Sequence, residues 1–70
     1  MNAEDRREIT PGTPIEIRDA FGYWRPTIAL SRVHLNTAHA RRNPYLVVSV
    51  KPGNWDHPIN WPAEDVRRLA

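Results

Sequence analysis

Six aromatic side chains and nine arginines in a chain of 70 residues are the residue types through which this protein could do chemistry, and that chemistry is recognition. Aromatic faces hold cations, while guanidinium forks grip phosphates and carboxylates and stack on bases. Tyr23 lies on the strand face opposite Trp24, and Trp55 sits in a Gly53-Asn54-Trp55-Asp56 loop where burial is hard to arrange. These two rings lead the binding candidates, with Tyr45 and the neighbouring Asp56 carboxylate beside them. Trp55 has a second reading, in which it pins its own loop against the body. Trp24 shares parity with Ile28 and Leu30 and reads as core or as a lid, and Trp61 alternates with Ile59 and packs. The basic candidates are Arg41 and Arg42 in one loop, Arg67 and Arg68 at the end, and Arg25 and Arg32 on the outer face of the second strand. Phosphate backbones attract such arginines without a sequence code, and bases stack on exposed rings. The competing reading is a solvated surface whose arginines pair with Glu16, Glu64 and Asp65.

Catalytic and metal chemistry find no comparable support. His34 and His39 lie in a strand-to-loop region, His57 is distant, and Asp56 is the only carboxylate near them, which makes no closed ligand set. Ser31 and Ser49 fall within strands with no positioned base, and no nucleophile elbow, phosphate loop or paired-carboxylate frame is present. The chain therefore reads as a non-enzyme with no cofactor.

Composition narrows the setting. One short domain buries a modest core, so few apolar positions are spare for a deep pocket. With no cysteine, disulfides and thiolate chemistry are removed, which fits a reducing compartment. No apolar run approaches the roughly 20 residues of a membrane span, and the charged start Met1 to Glu8 does not fit a signal peptide. A cytoplasmic protein with no membrane partner is expected. Ten basic residues against eight acidic ones leave a net charge of only +2. Nine arginines to one lysine fit either a GC-rich genome or selection for planar forks, and the small net charge favours the first.

Residues Met1 to Thr10, with mixed charge and little apolar content, read as a disordered tail or a frayed helical turn outside the core. Pro11 to Pro14 forbids helix, and Ile15 and Ile17 then alternate with Glu16 and Arg18 as in a half-buried strand. Asp19 to Gly22 is a turn. Tyr23 to Leu35 places Trp24, Pro26, Ile28 and Leu30 on one face before Val33 and Leu35 change the parity, which indicates a bulge or sharp bend. Asn36 to Pro44 is an exposed polar loop. Tyr45 to Val50 is the strongest strand, apolar on both faces and so central. Lys51 to Asn54 is turn chemistry. Ile59 to Trp61 is a short strand, Pro62 to Asp65 a single helical turn, and Val66 to Leu69 a last brief strand.

This order, over residues 11–70, resembles the five-stranded SH3-like small barrel, all-β, with a short helical turn before the last strand. The Tudor-type members are most similar. They carry an Ile/Val-rich first strand ending in an acid, then a glycine, paired aromatics, a basic, a small and a branched residue, places filled here by Ile15, Ile17, Asp19, Gly22, Tyr23, Trp24, Arg25, Pro26 and Ile28. The ending Trp61-Pro62-Ala63-Glu64-Asp65-Val66-Arg67 is also similar to small proteins of actinobacteria and their phages. The Tudor resemblance implies a cage for a methylated lysine or arginine, with Tyr23, Tyr45 and Trp55 as rings and Asp56 as charge partner. It supports fold more than function.

The expectation is a binding module that contacts nucleic acid, or a nucleic-acid-processing complex, through loop arginines and aromatics. Its alternative is a protein-interaction module, docking a host or other partner in the groove between the loop after the first strand and the loop after the third. Either would be a monomer or a small homo-oligomer.

Overall fold

The computed structural model describes residues 2–36, 45–53 and 55–69. Asn2 opens α1 (Ala3–Glu8), its side chain accepting the Asp5 N–H at 2.8 Å, with Glu4 and Asp5 in the first turn and Arg6 and Arg7 in the last. Cap and charges both suit the helix dipole. Ile9 follows, 0% exposed and part of the core cluster. The expectation that residues up to Thr10 lie outside the core is therefore corrected. Mixed charge around Ile9 hid a single apolar anchor.

Six strands follow: β1 (Pro14–Arg18), β2 (Trp24–Ile28), β3 (His34–Asn36), β4 (Tyr45–Val50), β5 (Ile59–Pro62) and β6 (Val66–Arg68), with a 3₁₀ turn over Ala63–Asp65 before the last. They form two antiparallel three-stranded sheets, ordered β2-β1-β6 and β3-β4-β5. The domain is mostly β, but no continuous ladder among the described residues closes it into a barrel. One isolated bridge, Ala29 to Val50, joins the sheets at a corner, beside the Leu30 N–H donating to the Ser49 carbonyl at 2.8 Å. The expected bend is what raises the strand count from five to six. After Ala29 the chain turns through Ser31, whose hydroxyl accepts the Ser49 N–H at 3.0 Å, and β3 continues in the other sheet.

Alternation in β1 is as the sequence implies, with Ile15 and Ile17 buried between more exposed neighbours. In β4, Val47 and Val48 are both fully buried, on opposite faces of the central strand of its sheet. Pro26 has no N–H to give a ladder and lies in β2, an edge strand.

The parity of β2 is the reverse of that expected. Ala29 is fully buried while Ile28 is 46% and Leu30 44% exposed. Trp24 pairs across from Arg18, and Pro26 from Glu16, on the outward side of β1. Directly opposed residues share a face, so Ile15 and Ile17 fix the inside and Trp24 falls outside. Hydropathy favours the wrong face here, with Trp24, Pro26, Ile28 and Leu30 on one parity against Arg25, Thr27 and Ala29 on the other, and the register against β1 overrides it. Trp61 and Ile59 pack against the core as expected.

A candidate binding groove between the two sheets

The turn from β1 to β2 is built around Asp19. Its carboxylate accepts the backbone N–H groups of Phe21 at 2.9 Å and Tyr23 at 3.0 Å, and its backbone closes the turn with Gly22 and Tyr23. Gly22 sits at φ 85°, a left-handed value that favours glycine at this point of a hairpin. The Arg25 Nε donates to the other Asp19 oxygen at 3.1 Å. Partial desolvation pushes the Asp19 carboxyl upward, but the Tyr23 N–H, the Arg25 guanidinium and the Phe21 N–H outweigh it, leaving it below its ordinary value of 3.8. The turn is thereby fixed beside an open groove of about 700 Å³.

One wall of that groove is Ile17, Asp19, Arg25 and Pro26 from β1, β2 and their turn. The other is Pro52, Gly53, Trp55, Asp56 and His57 from the β4–β5 connection, with Trp61 from β5. Trp61 bridges the two sheets, its indole N–H donating to the Arg18 carbonyl at 3.2 Å. Trp55 is 49% exposed and meets His57 edge-on, with centroids 5.9 Å apart. A groove with proline and tryptophan walls over a buried Ile17 floor and a few rim charges suits an extended ligand.

Four of the seven described arginines hold carboxylates of the same chain. Arg18 donates from Nε to Asp65 at 2.8 Å, Arg67 to Glu16 at 2.9 Å, and Arg25 to Asp19. Arg68 pairs with Asp5 at 3.8 Å and with Glu8, holding α1 against β6. Two of these guanidiniums also lie over Trp24, Arg67 at 4.1 Å from the ring centroid and Arg18 at 5.5 Å, and Arg25 lies 6.0 Å from the centre of Tyr23.

The expected site residues are thus partly assembled. Arg25, Trp55 and Asp56 meet in the groove, and Tyr23 is beside it under Arg25. Tyr45 is elsewhere, lining a smaller concavity with Arg6, Leu46 and Glu64, its hydroxyl accepting from Asn36 at 3.1 Å. Tyr23, Tyr45 and Trp55 therefore do not line one cavity. Arg32 is exposed, while Arg41 and Arg42, with most of their expected loop, lie outside the described residues, as does His39. Among the described residues no three His, Asp or Glu side chains converge as a metal site. Sequence reasoning missed Trp61, His57, Pro52 and Ile17 as lining residues, and the role of Asp19 in shaping the wall. Only the Asp19-to-Gly22 turn carried a readable signal of this.

Comparison with known proteins yields no matching family model, no matching curated protein and no matching solved structure. No helix among the described residues is long and apolar enough to cross a membrane. Fold and groove therefore define the class, a small two-sheet β domain with an open aromatic cleft between its sheets.

Proposed function

We propose that this chain is a non-enzymatic interaction module that holds an extended segment of a partner protein in the groove between the two sheets. The observation that carries this reading is the pairing of Arg18, Arg25, Arg67 and Arg68 with carboxylates of the same chain. Paired cations offer a phosphate backbone little counterion release, the main source of non-specific nucleic-acid affinity. What the groove offers is tryptophan and proline surface, the kind that anchors protein contacts. The absence of cysteine fits work in a reducing compartment such as the cytoplasm.

Selection of peptides from a random displayed library tests the proposal. Selected peptides should shift the amides of Asp19, Arg25 and Trp61 and lose about tenfold or more in affinity when Trp55 is replaced by alanine. Their affinity should change little between about 50 and 300 mM salt. Mixed-sequence DNA or RNA that binds with a steep salt dependence, while peptides leave the groove unmoved, would overturn the proposal and return function to nucleic acid through Arg32, Arg41 and Arg42.

A further inference from the structure

Three arginines of this protein lie over aromatic rings, and each also holds a carboxylate. Arg67 covers Trp24 and bonds Glu16, Arg18 approaches the same ring and bonds Asp65, and Arg25 lies by Tyr23 and bonds Asp19. The two contacts reinforce one another, because a guanidinium is planar and can stack by its face while donating from its edge. Trp55 and Asp56 supply the ring and the carboxylate of a further set without its arginine. Trp55 is about half exposed, its ring contact being the edge of His57. Asp56 is exposed and forms no ion pair or hydrogen bond with a described residue, and no described arginine lies over Trp55.

Both residues face the groove, across from the completed Asp19–Arg25 pair. With His57 neutral, the charged lining residues Asp19, Asp56 and Arg25 sum to −1, in a chain whose net charge is +2. The groove is thus locally complementary to a cation, unlike the chain as a whole. We propose that Trp55 and Asp56 form a receptor for an unmodified arginine side chain on the partner segment, stacked on the indole and paired with the carboxylate. This deepens the groove reading above and rests on it. Lysine, a point charge without a planar face, fits the pair less well.

The probe is a capped Leu-Pro-Arg-Pro-Leu peptide and its citrulline counterpart, which keeps the shape and removes the charge. Binding is followed at the Trp55 indole N–H and the Asp56 and His57 amides by NMR. The arginine peptide should bind about fivefold or more tighter than the citrulline peptide, and Asp56→Asn should narrow that gap to the part that stacking on Trp55 supplies. Asp56 is exposed, so that variant keeps its fold, which the remaining amides verify. Equal affinity of the two peptides for the unaltered protein, with groove shifts from both, overturns the arginine receptor and leaves the groove reading standing. No groove response to either peptide also overturns the receptor, and the library selection then decides separately whether the groove takes any peptide.

Discussion

Ile9→Ala is the sharpest test of how this domain is held together. Ile9 is fully buried, yet it follows a helix with no buried residues of its own. Truncating a buried isoleucine costs about 2–5 kcal/mol, the lost transfer energy plus the cavity left behind. A domain of 70 residues has a total stability of roughly 4–10 kcal/mol at the usual value per residue. One side chain ahead of the first strand would then carry a large share of it. With a urea slope of roughly 1 kcal/mol per molar for a protein this small, the unfolding midpoint should drop by about 2 M or more. Circular dichroism against urea measures this directly. Arg68→Ala, which cuts the ion pairs to Asp5 and Glu8, serves as the control and should cost less than about 1 kcal/mol because those groups are solvated. If Ile9→Ala changes stability by less than about 0.5 kcal/mol, the value of an ordinary surface substitution, the N-terminal segment is not part of the core and the reasoning fails.

Two further outcomes follow from the outer face and the hairpin. A double-mutant cycle on Trp24 and Arg67, read by urea unfolding, should give a coupling of about 0.5–1 kcal/mol, and Trp24→Ala alone should cost about 1–2 kcal/mol; a loss of about 3–5 kcal/mol would mean the ring is core. Asp19 has a lowered folded-state pKa, so its stabilisation is present above the ordinary carboxylate value and is lost as pH falls through the lower folded one. The Phe21 and Tyr23 amides should accordingly titrate together below pH 3.8, with the response abolished in Asp19→Asn. An inflection at or above that value would show that the carboxylate does not hold the turn.

Much of the fold was legible because period-two patterns leave little choice. Ile15 and Ile17 alternate cleanly with charges, Tyr45 to Val50 is too apolar to lie anywhere but centrally, and the short helical turn and last strand follow from Pro62 and Val66. What failed had a physical cause in each case. From Trp24 to Leu30 the larger apolar residues share the parity that faces outward, so hydropathy points to the wrong face and only the register against Arg18 and Glu16 shows which side is inside. Ile9 is one apolar residue in a charged stretch, and no periodicity can flag a single contact. The candidate site was legible in its loop, at Trp55 and Asp56, and in Arg25, but not in Trp61 or Ile17, whose place in the groove depends on how the two sheets come together around one core. Pairing of arginines with Glu16 and Asp65 was legible as a competing reading and is what Arg67 and Arg18 do, but which arginine meets which acid was not, because the partners are up to 51 residues apart in sequence.

The seam between the sheets has a mechanical consequence. Among the described residues its hydrogen bonds are few, the Ala29–Val50 bridge with the Leu30 and Ser31 bonds to Ser49 at one corner and the Trp61 indole bond to Arg18 at the groove. Each sheet has its own ladders, so what else resists drawing the two halves apart is the shared core, Ile15, Ile17 and Val66 from one sheet packed with Val48 and Val50 from the other. The groove runs across that seam, with one wall from each half. Anything seated in it is a rivet as well as a guest: its binding free energy adds to whatever resists separation of the halves. Backbone amides beside the seam should then exchange with solvent more slowly when the groove is filled, even those the guest does not touch.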